Sequence, residues 1–372
     1  AAVEFRPWHG PDPHRQEKLE AANDAARAMD FIKHEREKRG HVFDPHFDPA
    51  ETGIIGRSMS LVTSVPGNLR AKQTSANPNF AAAVLQYLRD AGVEKGDLVA
   101  VGCSGSFPAL NLAVYSALET IGAEPLIVAS AAASQFGANI PDMLWIDMER
   151  LLHEQGHTPF RSLAASFGGY EDCGRGMCDA SRRLILDALE RNGLELIDEP
   201  RLEDAIEKRM RVYKEAAGER PIAAYINVGG GAASVGRTAG KKRYRPGLNL
   251  APPETALEID SVMTRFAKDG VPVIHLVEVC QLAASLGLPE APQVRPEPGA
   301  GGPFHPRQPS RWLATLVLLS VVLGMRSTIL PGIFAPFRRW LLAWRGASHR
   351  GSDQPAIIAI DAVCTKDGEW MV

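Results

Sequence analysis

Cysteine is scarce, five in 372 residues and an odd number, which excludes a disulfide framework. Cys103 and Cys280 stand among apolar neighbours, where cysteine serves as a small buried hydrophobe. Cys173 and Cys178 are close in sequence but have no second pair and no His-x-His run beside them. The ligand set of a zinc site is therefore missing, and no metal is expected. An excess of one charge sign is absent too. With 41 basic against 44 acidic side chains the net charge is −3, which excludes nucleic-acid or anionic-membrane binding driven by overall charge. No nucleic-acid partner is expected. The strict phosphate motifs are also missing: there is no G-x-x-x-x-G-K-S/T. Nor does a G-x-G-x-x-G open a helix with an acidic residue about 20 positions on. ATP and NAD are thus not supported, and no cofactor is expected. In the first 30 residues no basic segment precedes an apolar core, so no secretory signal is expected.

What the chain has is ordinary globular material, 45% hydrophobic and 23% charged, enough for a sizeable core and about two domains. Residues 11–40 are expected as one helix. Leu19, Ala22, Ala26, Met29 and Ile32 recur at three to four residues, and Gly40 suits the stop. A Pro-, Gly- and Asp-rich connector, Asp44 to Gly56, follows. Helix Phe80 to Ala91, strand Leu98 to Gly102, helix Leu110 to Ile121 and strand Pro125 to Ala129 then read as βαβ grammar on a parallel sheet. The same alternation returns as helices Asp179 to Asn192 and Leu202 to Ala217, strand Ile222 to Val228, helix Glu254 to Lys268 and strand Val271 to Val277. The expected class is α/β: a parallel-sheet body with flanking helices, an N-terminal helix and a C-terminal hydrophobic helical segment. The expected divisions are 1–56 (helix and linker), 57–288 (body), 289–310 (Pro/Gly-rich linker), 311–345 (hydrophobic segment) and 346–372 (tail).

The run from Trp312 to Met325 carries no charge, and Arg326 is the only charged residue between Arg311 and Arg338. A spanning helix needs about 20 apolar residues. One reading takes 312–334 as a span with Arg326 snorkelling. The other makes it a buried helix beside a basic, Trp-rich surface segment, Phe337 to Arg345. Membrane association of some kind is expected, because ordinary core helices rarely carry Leu and Val on every face.

Three glycine-rich turns carry the candidate chemistry. The first, between a strand and a helix, holds Gly102, Ser104, Gly105, Ser106 and Pro108, a turn that frees backbone N–H groups for an anion. It also nearly fits a nucleophile elbow with Ser104 as nucleophile, for which His275 is the candidate base. The second runs from Gly168 to Gly176 and includes Arg175, suited to clamping a carboxylate. The third contains Asn227, Gly229, Gly230, Gly231 and Ser234. Between Gly229 and Asn249 come Arg237, Lys241, Lys242, Arg243 and Arg245 with no acidic residue, an anion-attracting rim. Lys72, Thr74, Ser75 and Asn77 precede a helix, and Gln135 and Asn139 follow a strand, where open α/β sheets place ligands. Each of these also has a plain reading as a cap, a tight turn or a solvated surface.

The strings TGIIG (52–56), AKQTSANPNFAA (71–82), VAVGCSGSFPALNLAVYSALE (99–119), SQFGANIPDMLWIDMERLL (134–152), AYINVGGGAASVG (224–236), RPGLN (245–249) and DSVMTRFAKDGVPVIHL (260–276) resemble the bacterial poly-γ-glutamate system protein family. The resemblance covers about residues 11–305. It implies a membrane-linked component that works beside the poly-γ-glutamate synthase ligase and its membrane subunits, with the body on the outer side of the cell membrane. It carries no reaction and no catalytic residues. The family's membrane anchor is expected before the first helix, ahead of Ala1, and Cys173 and Cys178 stand where the family does not lead one to expect cysteine. Three functions follow as expectations. One is binding of glutamate, γ-glutamyl polymer or another anion at the glycine loops, the second a serine-type amidohydrolase acting on γ-glutamyl polymer, and the third a non-catalytic scaffold for the synthase complex.

Overall fold

A parallel strand covered by helices on both faces must be apolar throughout, and strand β1 (Leu98–Ser104) is buried along its whole length. The computed structural model describes residues 12–304 together with 315, 316 and 320. On one side of β1 lie, in parallel register, β2 (Glu124–Ser130), β3 (Ala164–Ser166) and β4 (Glu195–Ile197). On the other side lies β5 (Ile222–Val228), with β6 (Gly247–Asn249) antiparallel at the edge and β7 (Val273–Leu276) between them. The sheet order is thus β6-β7-β5-β1-β2-β3-β4. The chain winds outward from β1 to β4 and then returns to the far side of β1 at β5. At such a reversal the loops leaving neighbouring strands diverge, and a crevice opens beyond the strand carboxyl ends.

Alternate residues of β1 feed two cores, as a period of two requires. Val99, Val101 and Cys103 join the core beneath α1 (Arg15–Lys38), α3 (Phe80–Asp90) and α4 (Pro108–Ile121). Leu98 and Ala100 join the core beneath the helices Leu202–Ala217 and Val262–Lys268. Helix α4 starts with Pro108 in its first turn and stops at Gly122, in the left-handed region at φ 76°. It has no charged residue before Glu119, because the sheet covers one side of it and α1 and α3 the other. Burying each of Leu110, Val114 and Leu118 contributes about 1.5–3 kcal/mol. Helix α1 approaches closely through an alanine-rich face, Ala21, Ala22, Ala25 and Ala28.

The α/β class, the largely parallel sheet, its flanking helices and the first helix agree with expectation. The stretch expected as one helix from Glu254 to Lys268 is two, Glu254–Leu257 and Val262–Lys268. Ser261 restarts it by accepting a hydrogen bond from the Thr264 N–H, and Gly236 packs so tightly on Ile259 and Asp260 that no side chain fits there. Loop 44–56 is packed: Arg36 donates to the carbonyls of Gly53 and Ile55, and Ile54 and Ile55 are buried. The Pro-rich stretch is pinned as far as residue 304, with Asn79 bonded to Glu297 and Gly299, and Phe304 buried beside Ala22 and Ala82. Residues 12–304 belong to one unit, His9–Arg307, and the rest of the chain to a second. The hydrophobic segment expected at 311–345 and the tail at 346–372 lie outside the described residues, apart from 315, 316 and 320. Among the described residues no helix is long and apolar enough to cross a membrane.

Candidate functional site

Strands β1 and β5 end in glycine-rich turns because both chains must leave the sheet sharply at the point of reversal. Gly229, at φ +80°, turns the chain out of β5 against Ser104 and Phe107, leaving only 3.2 Å to their side-chain atoms for a Cβ. A cavity of about 910 Å³ opens between these turns. Its walls bring together Ser104 at the end of β1, Ser106 and Phe107 after it, Ser130 at the end of β2, Ser134, the Gly229–Gly231 turn, and Lys72 from helix α2 (Leu69–Ser75). Segments separated by more than a hundred residues in sequence thus share one crevice. Gly230 and Gly231 line it with N–H groups that make no hydrogen bond among the described residues.

Lys72 is a buried cation of the cavity lining. It is 2% exposed and lies 3.6 Å from the centroid of the Phe107 ring. Its Nζ donates to the Ser106 carbonyl and lies 2.9 Å from Ser134 Oγ. Among the described residues no carboxylate pairs with it. Burial pulls its pKa down from 10.5 to about 7, with Lys241 adding to the effect. Two other cations of the crevice are neutralised. Arg237 makes a two-pronged pair with Glu171, 2.7 Å on each side, and holds the Glu171 carboxyl below its ordinary pKa. Lys241 pairs with Glu278 at 2.7 Å and lowers it likewise. Glu171, Arg237 and Glu278 all have left-handed backbones, at φ 56°, 64° and 46°. Such strain in non-glycine residues gathers where a site over-determines the backbone. Two of the five cations expected as a rim, Arg237 and Lys241, are therefore held in internal ion pairs, while Lys242, Arg243 and Arg245 are exposed.

Behind the wall, Asp172 and Arg209 form a buried ion pair with Nε to Oδ2 at 2.9 Å, and Arg209 also donates to Ser130 Oγ at 3.1 Å and Ser166 Oγ at 2.7 Å. This network fixes the carboxyl ends of β2 and β3 beneath the cavity. Sequence reasoning missed it, and also missed Glu171, Ser130 and Glu278. The two glutamates gave no signal because their cationic partners are 66 and 37 residues away.

Of the residues singled out from the sequence, Lys72, Ser104, Ser106, Gly229, Gly230, Gly231, Arg237 and Lys241 line the cavity. The others stand outside its lining. Thr74 donates to the Arg70 carbonyl and Ser75 to that of Lys72, while Asn77 accepts from the Asn79 N–H. Gly105 donates to the Ser130 carbonyl. Gln135 accepts from the Gly67 N–H, and Asn139 clamps Arg57 and Thr63. Arg175 is exposed and donates to the Pro200 carbonyl. Ser234 is buried beside Gly102. Asn227 donates to the Gly229 carbonyl at 2.7 Å and lies 3.0 Å from His275 Nδ1.

His275 is fully buried in β7, and its Nε2 lies 3.2 Å from the Lys241 carbonyl. A carbonyl can only accept, so Nε2 carries the hydrogen and Nδ1 accepts from Asn227. Burial pulls the ring down to about 4. Both nitrogens are thus engaged in an uncharged ring, and among the described residues no hydrogen bond joins His275 to Ser104. The cysteines at 103, 173, 178 and 280 are free. No cluster of metal-ligating side chains occurs among the described residues.

Comparison with protein-family models, with curated proteins and with solved structures gives no match to the chain.

Proposed function

We propose that the crevice at the reversal between β1 and β5 binds glutamate, a γ-glutamyl chain or a related polyanion. In this reading the protein is a membrane-associated component of a bacterial poly-γ-glutamate synthesis or export system, with the body on the outer side of the cell membrane and the synthase ligase and its membrane subunits as partners. The observation that carries the binding is Lys72, a buried cation at the cavity wall with which no carboxylate pairs among the described residues. A desolvated ammonium is costly until an anion reaches it, and in a site of low dielectric the charge-assisted bond is correspondingly strong. The unpartnered N–H groups of Gly230 and Gly231 and the start of α4 after Phe107 add the same polarity. The assignment to poly-γ-glutamate rests on the resemblance carried by the sequence strings, three of which contribute Lys72, Ser104, Ser106 and the Gly229–Gly231 turn to this crevice.

Calorimetric titration of L-glutamate and of γ-linked diglutamate at pH 6 tests the reading, with Lys72→Met as the variant. Binding by the wild-type chain, weakened at least about tenfold by the substitution, is the expected result. Equal affinity in the two proteins would refute it. Co-purification with the synthase subunits tests the assembly separately.

A further inference from the structure

We propose that Ser134 and Lys72 form a nucleophile and base that cleave an amide or ester carbonyl of an acidic substrate held in this crevice. The acidic character of the substrate rests on the binding reading above, whereas the pair itself rests on its own geometry. Ser134 Oγ lies 2.9 Å from Lys72 Nζ and makes no other hydrogen bond among the described residues. Both side chains line the cavity and both are at least nine-tenths buried. The serine is held in place by its backbone. Its N–H donates to Ser106 Oγ at 2.9 Å, and it pairs with Val65 in a short parallel ladder.

The three neighbours of Lys72 match an uncharged amine as well as an ammonium. An amine has two N–H groups and one lone pair. The N–H groups go to the Ser106 carbonyl and the Phe107 ring face, which leaves the lone pair for the Ser134 hydroxyl. The buried, partly aromatic setting that strips water from the nitrogen also places its pKa near 7, so the amine form is populated at neutral pH. A serine with a lysine base is a known variant of the serine, histidine and aspartate arrangement. The unpartnered N–H groups of Gly230 and Gly231 lie on the same cavity and are the donors available to a developing oxyanion.

The atoms balance with water as co-reactant. Ser134 Oγ bonds to the carbonyl carbon as its proton passes to Lys72 Nζ. When the C–N bond breaks, the leaving nitrogen takes that proton from Lys72. Water then adds to the acyl ester, Lys72 accepts its proton, and the ester C–O bond breaks as Ser134 Oγ recovers a proton. The products are a carboxylic acid and an amine, with both residues restored. Anion binding needs the ammonium and proton abstraction the amine, so pH separates the two properties of the one residue.

The test is labelling of the full chain with a fluorophosphonate probe at pH 6 to 9, followed by mass-spectrometric site mapping. Labelling on Ser134 that rises at least about tenfold from pH 6 to pH 8, and is lost in Ser134→Ala and in Lys72→Met, is the expected result. Circular dichroism melts of the variants check that each is folded. Labelling on Ser104 in place of Ser134, or no labelling at any pH, overturns the proposal. So does labelling of Ser134 that persists in Lys72→Met. Titration of wild type with L-glutamate is run in parallel, so that absent labelling with intact binding strikes the dyad alone and absent binding strikes the other reading.

Discussion

Lys72 lies 3.6 Å from the centre of the Phe107 ring, in a crevice where both Arg237 and Lys241 already pair with a glutamate side chain while, among the described residues, Lys72 pairs with none. The aromatic face offsets part of the cost of burying the ammonium. A cation–π contact contributes about 0.5–2 kcal/mol, less than a buried charge loses on leaving water. The remainder is available to a ligand.

The stability of the chain carries this cost in a defined pH window. The folded pKa of Lys72 is about 7 against 10.5 for the free side chain. Between those values the unfolded state binds more protons, so stability rises with pH. Below pH 7 both states are protonated and the full penalty applies. Lys72→Met is therefore expected to be more stable than wild type at pH 6, by an amount on the order of 2–4 kcal/mol, with the gap closing toward pH 10. Denaturant unfolding at several pH values checks this.

His275 predicts a second window of the same sign on the acid side. Its folded pKa is about 4, below the ordinary 6.5, so the unfolded state gains a proton first as the pH falls. Stability contributed by the neutral ring is complete above about pH 6.5 and declines between about 6.5 and 4. His275→Gln should flatten that part of the curve in thermal melts. A steepening would contradict the neutral assignment.

The buried pair of Asp172 and Arg209 gives a third expectation. Removing one partner strands the other without compensation, at a cost of about 3–5 kcal/mol. Arg209→Met and Asp172→Asn should each be strongly destabilising, and the double variant clearly less so than their sum. A double-mutant cycle on unfolding free energies measures the coupling, and simple additivity would show that the pair does not act as a unit.

Gly229 couples stability to the shape of the crevice. At φ +80°, with 3.2 Å to Phe107 and Ser104, an alanine is both strained and crowded. Gly229→Ala is expected to cost about 1–2 kcal/mol from the backbone alone. It should also weaken γ-linked diglutamate binding, through displacement of Phe107 and Ser104.

The sequence made the central strands legible because buried parallel strands are uninterrupted apolar runs, as in β1, β2 and β5. Strands β3, β4 and β6 have only three residues each and carry no periodicity to read. The glycine turns after β1 and β5 pointed to the crevice, and the polar stretch around Lys72 pointed to its wall. Arg175 misled because a cation in a glycine-rich turn looks the same whether it faces a ligand or the Pro200 carbonyl. His275 misled because the bonds that occupy it come from Asn227, 48 residues away, and from the Lys241 carbonyl, 34 residues away. The carboxylates that pair with Arg237 and Lys241 were hidden in the same way.

Calorimetric titration of γ-linked diglutamate across pH 6 to 9 is the most direct measurement of the central claim, that a buried, uncompensated Lys72 is the anion's partner. The prediction is binding with uptake of a proton around neutrality and an affinity that falls as pH rises above about 7. Affinity that is independent of pH, with no proton taken up, would contradict it.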